Sequence, residues 1–163
     1  MSEEPAAPPD EDVAKPQKKE RPRDELGRPL PRGEANRLEM EDFDSQTAEE
    51  NHRLAISYFN SGRYFPAHEA WETAWKQNKG TPDEEFFKGL SQIGAGYTHY
   101  TRGNLHGTHT LIRRGTGRIA PYGPEHHGLD VERLVREANA QAGLVEQADA
   151  AGQGLPLLEP PRL

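Results

Sequence analysis

Cysteine is absent from the 163 residues, which excludes a disulfide framework and any thiolate metal site, so a bound metal would have to rest on His, Asp or Glu. Long apolar runs are absent too, and nothing approaches the ~18 residues that a membrane-spanning helix needs. The opening Met1-Ser2-Glu3-Glu4-Pro5 has neither a basic nor an apolar stretch of the secretory kind. A soluble cytoplasmic protein with no membrane contact is therefore expected. Apolar residues are scarce, at 33% with a mean hydropathy of −0.98, which is low for a chain folded throughout. Basic excess is also missing. Residues 1–50 hold 8 Lys and Arg against 15 Asp and Glu, whereas residues 51–163 hold 12 of each. The whole net charge of −7 thus belongs to the first part. A neutral body behind an acidic arm lacks the field that draws proteins to nucleic acid.

What is present is unevenly placed. Residues 1 to 36 carry seven prolines among mixed charges, with Val13, Leu26 and Leu30 as the sizeable apolar side chains. Such a stretch cannot bury enough surface to offset the entropy of ordering it. We expect residues 1–44 to be a disordered acidic, Pro-rich arm and 45–163 to be one domain. Within the arm, Leu26-Gly27-Arg28-Pro29-Leu30-Pro31 is the best candidate for docking a partner.

From Ser45 onward the apolar spacing is helical. Ser45 or Thr47 can cap a first helix carrying Leu54, Ala55, Tyr58 and Phe59 that ends at Gly62, and a second spans about 64–78. Thr81 and Pro82 open a third, with Phe86, Leu90, Ile93, Tyr97 and Tyr100 as its stripe and Gly89, Gln92, Gly96 and His99 as the neighbouring row. Two mid-helix glycines on one row, each costing about 1 kcal/mol against alanine, predict another backbone in close approach. A fourth helix covers 104–119, and Asp130 caps a fifth with Val131, Leu134, Val135 and Ala138 inward. Residues 121–128, with His126 and His127, read as an exposed loop, and the apolar end around Leu155 to Leu158 should lie extended across the bundle.

Phe59, Gly62, Tyr64, Ala67, His68 and Trp71 recur as Tyr100, Gly103, Leu105, Thr108, His109 and Ile112 at a constant offset of 41 residues. The fold predicted is therefore an all-α bundle of about five helices built on two tetratricopeptide-like helical hairpins.

Chemistry is densest in Tyr64–Trp75, where His68 and Trp71 share the apolar stripe and Glu72 follows His68 at i+4, with Glu69 beside it. His68, Glu69, Trp71, Glu72, Gln92, His99 and His109 are the candidate pocket residues, because buried polar groups on consecutive helices must find partners. His68 reads equally as a core histidine whose needs are met. Such a pocket suits a small ligand or a peptide. The alternative is a hydrolase in which Glu72 orients His68 as base, or in which His68, Glu72 and His109 hold a metal. Against metal, His-Glu-x-x-Glu is not the zinc-protease helix, and the position matching Glu72 is Arg113, which would sooner pair with it. Arg102, Arg113, Arg114 and Arg118 form the one basic concentration and give a third reading, RNA contact, against which interleaved aromatics for stacking are missing there. No cofactor is called for.

Ala67-His68-Glu69-Ala70-Trp71-Glu72 and Gly89-Leu90-Ser91-Gln92 together resemble the DUF309 family, uncharacterised small helical proteins marked by A-H-E-x-W-E and then G-L-x-Q. Gly103-Asn104 and His109 continue the similarity, which covers roughly residues 50 to 140. The resemblance implies an all-helical domain and no established activity. The arm lies outside it.

Overall fold

The structure, a computed structural model, describes residues 21–25, 27–38 and 40–163. Five helices follow one another: α1 (Ala48–Asn60), α2 (Tyr64–Gln77), α3 (Glu84–Thr101), α4 (Leu105–Ile119) and α5 (Val131–Ala150). Between α4 and α5 the only paired strands among the described residues, β1 (Glu125–His126) and β2 (Leu129–Asp130), form a small antiparallel hairpin. The all-α reading holds. No described helix is long and apolar enough to cross a membrane.

Local chemistry explains the boundaries. Thr47 and Glu50 form a reciprocal capping box at the start of α1. Asn104 caps α4 by accepting from the Gly107 N–H, and Asp130 caps α5 by accepting from Arg133. The ends of α1 and α3 are the same turn: Gly62 and Gly103 both take positive φ, at 78° and 73°. The Arg63 and Asn104 N–H groups each reach back five residues, to Tyr58 and His99. The 41-residue offset is thus present in the turn chemistry itself. Such short connections make α1–α2 and α3–α4 hairpins of adjacent helices.

Each helix packs on its neighbours in sequence, with α3 between α2 and α4. The core is aromatic where the first three helices meet: Phe59, Trp71, Phe86, Phe87 and Tyr97 are all buried, and Phe59 sets its ring edge against Tyr97 at 5.3 Å. The close approach predicted from the glycine row is that of α4. A Cβ on Gly89 would lie 2.6 Å from Ile119 Cγ2 and 2.8 Å from the Gly115 carbonyl oxygen, and one on Gly96 2.7 Å from Ile112 Cγ1. Gly94, on another side of α3, admits α2, since its Cβ would stand 3.0 Å from the His68 Cα.

Residues 1–20 of the expected arm lie outside the described residues, as does Leu26 of the docking segment. From Arg21 the described part of the arm lies on the bundle. Arg23 stacks over Phe65 at 4.7 Å, the Arg102 guanidinium donates to the Gly27 carbonyl at 3.0 Å, and Leu38 and Phe43 are buried. Composition alone did not reveal this, because a few contacts to Phe65 and Arg102, rather than an apolar period, hold the segment. The C-terminal stretch also runs extended over the helices: Leu158 is buried, its N–H donates to the Tyr100 hydroxyl at 2.9 Å, and Leu163 exchanges two hydrogen bonds with Asn60 on α1.

Candidate functional site

His68 leaves α2 toward α3 because Gly94 lets the two backbones close. Its Nδ1–H donates to the Ser91 carbonyl at 2.8 Å, with Ser91 Oγ 3.0 Å away. That contact orients the ring. Nε2 then faces two carboxylates of its own helix, Glu72 Oε2 at 3.3 Å and Glu69 Oε1 at 3.8 Å. The other Glu72 oxygen accepts from Lys76 at 3.1 Å.

The electrostatics follow from this placement. Burial by itself would lower the His68 pKa, but the hydrogen bond to Glu72, the Ser91 carbonyl and the charges of Glu69 and Glu72 outweigh it, and the value is raised above 6.5. For Glu72 the His68 hydrogen bond is the largest influence, and with Lys76 it overcomes burial and holds the carboxyl down at about 2. Glu69 differs. Burial dominates there and raises its pKa, in spite of the opposing charges of His68, Arg23 and Lys76. Glu69 also lines a cleft of about 460 Å³ between α2 and the described part of the arm, with Arg21, Arg23, Asn36, Met40 and Phe65 among its walls.

The remaining expected residues are dispersed. Trp71 is wholly buried and belongs to the core, where its indole N–H donates to His52 Nδ1 at 3.0 Å. Gln92 accepts from Arg118 at 3.0 Å, and His99 meets Asn104 at 3.1 Å. His109 pairs with Asp149 of α5 at 2.9 Å, beside His106. The structure therefore brings His68, Glu69 and Glu72 together and puts His109 in a separate cluster, so no single set of His68, Glu72 and His109 forms. The 41-residue equivalence holds at the turns, but α2 and α4 turn their histidines to different neighbours. Arg113 pairs with Glu146 rather than Glu72, and Arg102 and Arg118 are likewise held by intramolecular contacts.

His126 and His127 are a correction. They are half-buried rather than solvated, because the hairpin packs them on Phe86 and Phe87 and aims both rings at Asp83. Sequence reasoning missed His52, Ser91, Asp83 and Asp149. His52 was detectable, lying three and seven residues before Ala55 and Phe59 on the same face. The other three offer no local signal, since their partners come from other elements.

No curated protein and no solved structure matches the chain. A family model described as "Domain of unknown function (DUF309)" matches residues 52–111. That span contains the whole of α2 and α3, with His68, Glu69, Glu72 and Ser91. The family expected from the Ala67–Glu72 motif is therefore the one whose model is matched, over residues 52–111.

Proposed function

We propose that the chain is a helical binding module, its two hairpins stacked in a tetratricopeptide-like manner, that takes a small cationic ligand or a basic peptide side chain against Glu69. The observation that carries this reading is the state of the Glu69 carboxylate. It is partly buried and raised in pKa, it lines an open cleft, and its nearest charged partner, His68 Nε2, stands at 3.8 Å. An amine or guanidine entering the cleft would supply the charge-assisted hydrogen bond that the carboxylate lacks. Phe65 and Met40 offer apolar wall for the ligand's stem.

The hydrolase reading has less support. A histidine base needs one nitrogen turned to substrate, and both nitrogens of His68 are engaged, by Ser91 and Glu72. A titration of isotope-labelled protein with agmatine, putrescine and lysine amide, with acetate and phosphate as controls, tests the proposal. Saturable shifts of the Glu69 and Phe65 amides by the cations alone are expected, weakened at least ~10-fold in Glu69→Gln, as for loss of a charged hydrogen bond. No saturable shift with any cation, or equal binding by Glu69→Gln, would discard it.

A further inference from the structure

A second group of titratable side chains stands at the N-terminal end of α3, apart from His68. Asp83 is at the N-cap position of α3, yet its carboxylate makes no capping hydrogen bond. Both of its oxygens are aimed elsewhere: Oδ1 lies 2.7 Å from His126 Nε2 and Oδ2 lies 2.7 Å from His127 Nε2. The three groups can offer one ligand atom each with all of them within 4.8 Å of one another. His127 is further constrained, for its Nδ1 faces Glu49 Oε2 at 3.1 Å. Both of its nitrogens thus point at carboxylates. In a neutral ring one nitrogen carries a lone pair, and a lone pair facing a carboxylate oxygen is repelled unless that nitrogen binds a proton or a metal ion.

The surrounding structure holds this arrangement in place. With Glu125 opposite Asp130 and His126 opposite Leu129, the hairpin turn is the pair His127-Gly128, both in the left-handed region with φ of 47° and 73°. Asparagine or glycine is usual at the first of these positions, and histidine is among the few other residues that take it readily. His52 supports it from below. Since His52 Nδ1 accepts the Trp71 N–H, its Nε2 carries the hydrogen and donates to the His127 carbonyl at 3.0 Å. The imidazoles are wedged on aromatic faces, His126 at 4.7 Å and His127 at 5.6 Å from Phe86.

From this geometry we infer that Asp83, His126 and His127 form a binding site for a divalent transition-metal ion of the zinc class. Two imidazoles and one carboxylate are a recognised donor set for such ions, and the three side chains remain partly solvent-accessible, which leaves a coordination position for water. Glu49 is the outer carboxylate that accepts from His127 Nδ1–H, fixing the tautomer in which Nε2 is free to bind metal. The other two His and carboxylate groups among the described residues are poorer sites. In the His68 group Glu72 already binds the Lys76 ammonium, and in the His109 group His106 is 79% exposed.

The test uses the untagged full chain, stripped with chelator and titrated with Zn²⁺ by calorimetry and with Co²⁺ by visible absorption. One tight ion per chain is expected, with ligand-field bands. Asp83→Asn and His127→Gln should each bind at least ~10-fold more weakly, and Glu49→Gln should lose ~10-fold or more as an outer-shell partner. His106→Gln/His109→Gln and Glu72→Gln should bind as the wild type does. Should the site variants fail to fold, the wild-type protein still decides, because Co²⁺ must shift the imidazole resonances of His126 and His127 before those of His106 and His109. Absence of saturable binding, or first effects at His106 and His109, overturns the inference.

Discussion

His68 and Glu72 stabilise the fold only while each holds its charge, so their effect on stability depends on pH. Glu72, held at about 2 against an ordinary 4.5, contributes fully above pH 4.5 and loses that contribution as pH falls toward 2. His68 has a raised pKa, so its contribution is complete below 6.5 and fades as pH rises through its folded value. The pair is therefore at full strength between these limits. Glu72→Gln should flatten the acid limb of a plot of melting temperature against pH and lower the His68 pKa read from its imidazole resonances. An unchanged His68 titration in that variant would mean that Glu72 is not its partner. Trp71 is the other decisive residue. Trp71→Ala should cost about 3–5 kcal/mol for the emptied space. Trp71→Phe keeps part of the volume but strands the buried His52 Nδ1, and about 1–3 kcal/mol is expected for that alone. Denaturant midpoints measure both.

At the scale of elements, the helices are joined through glycine. Gly89→Ala would gain about 1 kcal/mol of helix propensity but force a Cβ to within 2.8 Å of the Gly115 carbonyl. Overpacking of this kind costs about 1–3 kcal/mol, so the variant should be less stable than wild type in chemical denaturation. Gly117, two residues beyond Gly115 on α4, meets nothing within 4 Å, and Gly117→Ala should stabilise by about 0.5–1 kcal/mol. If the two substitutions act alike, the close α3–α4 contact is not as described. These spacings also separate the histidines. His68 closes on α3 and His109 on α5, so their alanine variants should be additive to within about 0.3–0.5 kcal/mol.

At the scale of the molecule, the two ends of the described chain act as straps across the helices. Removing residues 155–163 exposes the site of Leu158 and breaks hydrogen bonds to Tyr100, Arg133 and Asn60. About 2 kcal/mol is expected for one buried leucine and its polar contacts, or ~4–8 °C in a domain of this size. A scan showing no change would place the tail in solvent. The amino-acid sequence by itself determined the five helices, the caps at Thr47 and Asp130, the turn glycines at Gly62 and Gly103, the glycine row on α3 and the family motif. All of these depend on residues within a turn or two of one another, and a helical period or a left-handed turn is written in such neighbours. Only the tertiary structure decided which polar groups meet: Ser91 with His68 across 23 residues, Asp149 with His109 across 40, and Asp83 with His126 and His127 across 43 and 44. Those pairings depend on how each helix is rotated against its neighbour and on where the β1–β2 hairpin lands. Neither is fixed by periodicity, which says that a face is inward and not what it will face.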